Sequence, residues 1–141
     1  MLRPIQFAVI AAAALAIGWY VLDRQVEDTA ESLDDSALMA QVTVPELEGD
    51  ELIGARIFAA KCAACHGENA AGQQGIAPPL VHKIYEPSHH GDAAFLLAAR
   101  IGVRAHHWRF GSMPPVEGLN DAEIGMIVAY VRALQRANGI N

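Results

Sequence analysis

The sequence is poor in cysteine and in basic residues, and each shortage excludes a class of protein. Only two cysteines occur among 141 residues, too few and too close together for a disulfide framework. Ten lysines and arginines against sixteen aspartates and glutamates give a net charge of −6 with histidine neutral, so a nucleic-acid partner finds no support. The composition is 52% hydrophobic and 18% charged, and it looks membrane-like only because of one apolar run near the N-terminus.

A transmembrane anchor is predicted over residues 1–22. Positions 5–22 are apolar apart from Gln6 and Gly18. At about 1.5 Å per residue this run would reach about 27 Å, close to the roughly 30 Å of a bilayer's hydrocarbon core. A cleaved signal peptide is the alternative, but its apolar region is typically about 7–15 residues long and ends in a small-x-small cleavage site. We therefore expect an uncleaved single-pass anchor, with the rest of the chain translocated.

The predicted linker, residues 23–51, is acidic. It carries ten aspartates and glutamates against one base, Arg24, and its apolar residues are sparse and small. Such a segment cannot bury enough surface to order itself, and its like charges repel one another. We expect a flexible tether without a specific partner.

The folded domain is predicted over residues 52–141, where eight basic and six acidic residues give a mildly basic module. Apolar residues at helical spacing predict helices over 51–64 and 93–101. Asn120, followed three residues later by Glu123, forms a capping box that opens a third helix. Prolines and glycines predict loops between these helices. The fold class is therefore all-α with long loops, and loops of this size in a small domain usually enclose something.

The most specific motif is Cys62-Ala63-Ala64-Cys65-His66. The C-x-x-C-H spacing allows both thiols to capture the vinyl groups of a haem as thioethers, with the adjacent imidazole on the iron. A redox dithiol is a weaker interpretation because no βαβ context surrounds the motif. Half of a zinc site would need a second ligand pair at regular spacing. The remaining histidines do not show such a spacing; they are His82, His89, His90, His106 and His107. We expect one covalently bound haem c.

Met113 is the candidate for the second axial ligand. Of the four methionines, only Met113 lies in a loop stiffened by two prolines, which could hold a soft thioether at a fixed height. A thioether fills the sixth position of the iron and favours electron transfer over oxygen chemistry. His106 or His107 is the rival ligand, and ordinary core packing is the alternative role of Met113.

Residues 49–137, about two thirds of the chain, resemble a class I cytochrome c domain. The motifs occur in the family's order: Gly54 and Phe58, then the 62–67 segment, Ala77-Pro78-Pro79-Leu80, Gly111-Ser112-Met113-Pro114-Pro115, and Tyr130. Ala77 departs from the family's pattern, which has glycine there. With the N-terminal segment, the whole chain is similar to the membrane-anchored monohaem cytochromes of bacteria.

The resemblance implies a role for several single residues. His66 would be the proximal and Met113 the distal ligand of the iron. The Pro78 carbonyl would accept a hydrogen bond from the free imidazole N–H of His66. Leu80 and Ile101 would face the haem. The propionates would be held by Trp108 with one of three arginines: Arg100, Arg104 or Arg109. Gly54, Phe58, Tyr130 and Val131 would form the crossing of the first and last helices.

The resemblance also implies an electron carrier and not an enzyme. The haem domain would lie on the periplasmic side of the inner membrane. There it would shuttle electrons from a respiratory or photosynthetic donor complex to an acceptor oxidase or reaction centre, with no small-molecule substrate. Basic residues around the haem edge would give weak, salt-sensitive encounters with partner proteins. One alternative is a fixed haem subunit of a larger membrane oxidoreductase or reaction-centre complex. Another is an enzyme or gas sensor with an open sixth site.

The remaining histidines have no role in this scheme. His89-His90 and His106-His107 flank the middle helix. Exposed polar loop residues are the simplest interpretation. A pH-sensitive docking surface and a copper site are the alternatives, and the sequence does not decide between them.

Overall fold

The computed structural model describes residues 15–24 and 38–141, which belong to two compact units, Met1–Ala37 and Leu38–Asn141. In the first unit, residues 15–24 are helical, and Trp19 and Tyr20 are exposed. No helix within the described residues is both long enough and apolar enough to cross a membrane. Residues 1–14 of the predicted anchor lie outside the described residues.

The second unit is mostly helical, in agreement with the predicted all-α class. Its four α-helices are α1 (Gly49–Lys61), α2 (Ala63–His66), α3 (Asp92–Ile101) and α4 (Asp121–Ala137). Two short 3-10 helices, Glu68–Ala70 and Lys83–Tyr85, lie in the loops. Extended pairing among the described residues is confined to isolated bridges.

The helix ends follow from local sequence signals. The predicted capping box of α4 is present, because Asn120 Oδ1 accepts from the Glu123 N–H at 3.0 Å and Glu123 Oε2 accepts from the Asn120 N–H at 2.8 Å. α3 ends where predicted, at Gly102, whose φ of 77° is a left-handed conformation that suits glycine. The first predicted helix, 51–64, is instead divided at Cys62, where φ is −120°.

The compact unit begins at Leu38, inside the predicted linker. Thr43 and Asn138 exchange two hydrogen bonds, of 2.9 and 2.8 Å. Val42 and Leu47 pack against the core. These contacts give residues 38–51 a fixed place, although their acidic composition predicts a flexible tether. Residues 25–37 of the predicted linker lie outside the described residues.

The core forms where α1 crosses α4. The rings of Phe58 and Tyr130 lie 5.5 Å apart, and Val131 is completely buried beside them. Gly54 faces the backbone of Met126 with no side chain in between. The crossing therefore contains the four residues predicted for it.

Replacing Gly54 with alanine should destabilise the domain. The new Cβ would lie 1.9 Å from the Met126 carbonyl oxygen, so the helices must separate, at a cost of about 1–3 kcal/mol or more. Denaturant unfolding followed by circular dichroism measures this. Gly125→Ala is the matched control, because nothing lies within 4 Å of its new Cβ and alanine favours a helix by about 0.8–1 kcal/mol. Equal stabilities for the two variants would contradict so close a crossing.

Candidate functional site

A cavity of about 490 Å³ lies beside the core, within the usual range of about 300–1,000 Å³ for cofactor sites. Its lining is mainly apolar. It brings together all seven predicted site residues, although they come from three separate segments of the chain: Cys62, Cys65, His66, Pro78, Leu80, Trp108 and Met113.

The two thiols lie at the junction of α1 and α2. The Cys65 and His66 N–H groups both donate to the Cys62 carbonyl, at 3.1 and 2.9 Å, which folds the motif into a tight turn. Both cysteines are free. Burial, with a smaller contribution from Cys65, raises the pKa of Cys62 to about 11. Redox-active dithiols have a lowered pKa, so this environment argues against the dithiol interpretation.

The imidazole of His66 is buried and oriented by one hydrogen bond. Its Nδ1 lies 2.9 Å from the Pro78 carbonyl oxygen, the contact expected from the sequence. Burial lowers the pKa of His66, and the bond to Pro78 opposes this shift. The imidazole is therefore neutral near pH 7. Because a carbonyl can only accept, Nδ1 carries the proton and the Nε2 lone pair is free for a metal.

The Pro78 segment is held close to His66 by a backbone contact at Gly72. The Gly72 N–H donates to the His66 carbonyl at 2.7 Å. A Cβ on Gly72 would lie 2.4 Å from the Pro79 nitrogen. After the two prolines, the Leu80 N–H donates to the Ala70 carbonyl at 2.9 Å. This bond fixes the half-buried Leu80 at the cavity wall.

Met113 reaches the cavity on a second loop. It exchanges two backbone hydrogen bonds with Val103, both 2.9 Å long. Gly102 allows this pairing, because a Cβ there would lie 2.5 Å from the Met113 carbonyl oxygen. Beyond the prolines, the Val116 N–H donates to the Ala99 carbonyl at 2.8 Å. The thioether is therefore carried by a loop that is bonded to Val103, just beyond α3, and to Ala99 within that helix.

Trp108 presents an unsatisfied polar group. Its buried Nε1 has no hydrogen-bond partner among the described residues. Burial raises the pKa of Tyr85, and the nearby Trp108 N–H opposes part of this rise. The two groups are nevertheless not placed for a hydrogen bond. A buried donor without a partner calls for an acceptor, which a carboxylate of a bound cofactor would supply. None of the three candidate arginines lines the cavity.

The apolar face of α3 is the strongest sign that a large group belongs in the cavity. No residue of this helix is fully buried, yet Phe95, Leu97 and Ala98 line the cavity. An amphipathic helix has to cover its apolar face, and a haem would cover it here. Ile101, which was expected to face the haem, is 71% exposed and does not line the cavity, although Ala99 and Gly102 do.

Two buried polar residues of α4 were not singled out in the sequence. Arg132 Nη1 donates to the Tyr85 carbonyl at 2.7 Å and to Gln135 Oε1 at 2.6 Å. Gln135 Nε2 donates to the Leu80 carbonyl at 2.8 Å. Together they support the loop that follows Leu80. The sequence does indicate that Gln135 is buried, because Gln135 follows Val131 by four residues and so falls on the core face of the helix.

The fold and the cavity define a class of protein, a small helical domain with an apolar cavity whose lining includes two thiols, an imidazole and a methionine thioether. Such a lining suits a large apolar cofactor. The family model for cytochrome c matches residues 52–135, more than half of the chain. The chain belongs to the cytochrome c family. This membership implies a covalently bound c-type haem.

Two relatives are subunits of oxidases. Over 94 residues the chain is 38% identical to the cbb3-type cytochrome c oxidase subunit FixP of Bradyrhizobium sp. (strain ORS 278). The matched region covers 64% of this chain and 30% of FixP. Over 115 residues it is 34% identical to the cbb3-type cytochrome c oxidase subunit CcoP of Cereibacter sphaeroides. Here the matched region covers 74% of this chain and 37% of CcoP. The chain therefore spans about a third of the length of these curated relatives. No solved structure matches the chain significantly.

Gly72→Ala should disturb the contact between His66 and Pro78. The clash with Pro79 would push the Pro78 segment away, lower stability by about 1–3 kcal/mol and speed solvent exchange of the His66 Nδ1 proton in NMR spectra of the reduced holo-protein. Gly75→Ala is the matched control, since Gly75 has a similar φ of 78° but nothing within 4 Å of the new Cβ. If both variants lose the same stability and keep the same proton exchange, the close approach at Gly72 does not position Pro78.

Proposed function

We propose that this chain transfers single electrons through one covalently bound haem c, with His66 and Met113 as axial ligands. One observation carries the proposal: a single apolar cavity is lined by both thiols of the attachment motif, a neutral imidazole and a thioether. The sequence contains one C-x-x-C-H motif and no further cysteine, which supports a single haem.

Each residue of the site has a separate task. Cys62 and Cys65 would hold the haem by two thioether bonds, and the iron would supply a reversible one-electron couple. Pro78 keeps the proton of His66 on Nδ1, which leaves the Nε2 lone pair available to bind the iron. Met113 would supply its thioether as the second axial ligand, which would favour a higher potential than a second imidazole would give. The Trp108 N–H would donate to a propionate.

The same features favour electron transfer over catalysis. A closed sixth position leaves no place for oxygen, peroxide or carbon monoxide to bind the iron. The apolar lining excludes water, so little solvent has to reorganise when the charge on the iron changes. We therefore propose a cytochrome without an enzymatic activity or a small-molecule substrate of its own.

The relatives favour the fixed-subunit alternative over the mobile shuttle. Both are named as subunits of cbb3-type cytochrome c oxidases, and their similarity includes the segment with the haem motif. We propose that this chain serves as a haem subunit of a membrane oxidoreductase of this kind. The predicted anchor over residues 1–22 would place the haem domain on the periplasmic side of the inner membrane.

Met113→Leu should open the sixth position of the iron. Leucine has nearly the same volume as methionine but no sulfur, so the weak far-red absorption band of thioether-bound ferric haem should disappear. The reduced haem should then bind carbon monoxide, and the midpoint potential should fall. Met126→Leu is the matched control, because Met126 lies on α4 outside the cavity lining, and its spectrum should be unchanged.

The outcome also tests the rival ligands. If Met113→Leu keeps the far-red band, or if the wild type lacks it, Met113 is not the distal ligand. A change of the haem spectrum in His106→Gln or His107→Gln would then identify a histidine in its place.

Purification from native membranes should separate the fixed subunit from the shuttle. A tagged full-length chain, extracted in mild detergent, should bring further haem-containing subunits with it, and these should remain bound after a wash in high salt. Electrostatic encounters of a mobile carrier are screened by salt, so partners lost in that wash would favour the shuttle. The Met113→Leu chain is the control for assembly, since it changes the iron site and not the surface.

A further inference from the structure

We propose that His89, His90 and His107 form a second metal site, for a divalent transition-metal ion such as zinc or copper, at the rim of the haem cavity. This inference goes beyond the proposed electron transfer and does not depend on the identity of the redox partner. The three residues come from two loops that are separated by α3.

The three imidazoles are close enough to share an ion. One ring nitrogen from each lies within 4.8 Å of the other two. Imidazole nitrogens bind zinc at about 2.0–2.1 Å, so two ligands of one ion lie at most about 4.2 Å apart. His89 and His107 are exposed, and small rotations of their side chains close this difference. Three histidines with a fourth position for water match a common zinc arrangement.

The least exposed of the three ligands, His90, is already oriented. Its Nδ1 lies 2.7 Å from the Ile84 carbonyl oxygen. Because this bond keeps the proton on Nδ1, Nε2 is left with a free lone pair, as is usual for a metal-binding histidine. The His90 carbonyl accepts a further hydrogen bond from Arg132, which is buried. The backbone and the ring of His90 are therefore both held from the interior of the domain.

The two loops are also fixed in place. The His89 and His90 N–H groups donate to the Glu86 carbonyl at 3.0 and 2.8 Å. On the other loop, the Ala105 N–H donates to Ser112 Oγ at 3.3 Å, two residues beyond the Val103–Met113 pair. A site whose loops are held before the ion arrives loses less conformational freedom when it binds.

The imidazole rings of the two loops meet at one place. The rings of His106 and His107 lie 4.2 Å apart, and His107 is 5.2 Å from His90 and 5.4 Å from His89. The ring of His107 is therefore next to both other proposed ligands.

An ion here would join the loop after the Lys83–Tyr85 helix to the loop that carries Met113. His90 and His107 line the cavity, as does the adjacent His106, whereas His89 does not. The ion would therefore lie at the edge of the cavity and cross-link the two loops. Zinc binding should then raise the unfolding temperature of the holo-protein.

Zinc titration of the purified haem-loaded protein tests the site. Isothermal calorimetry should show one zinc ion per chain, and X-ray absorption at the zinc edge should show three imidazole ligands. His89→Gln and His107→Gln should each weaken binding by about tenfold or more, since even the loss of a group that only hydrogen-bonds to a metal ligand costs about 10–100-fold. His82→Gln is the matched control, because His82 instead accepts a hydrogen bond from the Ile84 N–H, and its affinity should equal that of the wild type.

The variants also separate this site from the haem site. His89 does not line the cavity, so His89→Gln should weaken zinc binding and leave the haem spectrum unchanged. The proposal is overturned if the wild type binds no zinc, or if His89→Gln binds it as tightly as His82→Gln does. It is also overturned if zinc raises the unfolding temperature equally in His89→Gln and in the wild type.

Discussion

At Gly54, α1 and α4 cross with no side chain between their backbones, and the positions of both walls of the cavity depend on this contact. α1 leads from the crossing directly into Cys62, and the tight turn there carries His66 to the cavity. α4 leads from the same crossing to Arg132 and Gln135, which hold the loop after Leu80. A shift of one helix along the other would therefore move the imidazole and its surrounding loops apart.

The loops gain their order from polar contacts inside the domain. Arg132 is 7% exposed and Gln135 is completely buried, and an unpaired charge in such a place would be costly. Arg132 donates to Asp92, Gln135 and two backbone carbonyls. Carbonyls in a loop have no helix or sheet partners. One side chain with five donors can therefore satisfy several of them, and it replaces the regular secondary structure that this region lacks.

The sequence predicted the features that depend on neighbouring residues. Three such features each depend on residues only a few positions apart, and the structure contains all three: the capping box at Asn120, the end of α3 at Gly102 and the attachment motif. The packing of residues 38–48 could not be predicted in this way, because Thr43 meets its partner Asn138 across 95 residues. The cluster of four histidines depends in the same way on how the two loops meet across α3.

The cavity also explains why a covalent bond to the cofactor suits this domain. α3 has an apolar face but no fully buried residue, so the haem would complete the core as well as carry the electron. The stability that a reversibly bound cofactor adds to a fold grows with the logarithm of its free concentration relative to its dissociation constant. Thioether bonds remove that dependence, because the cofactor cannot be lost by dilution. The cavity of about 490 Å³ beside the core can then stay filled at any concentration of free haem, and the apolar face of α3 stays covered.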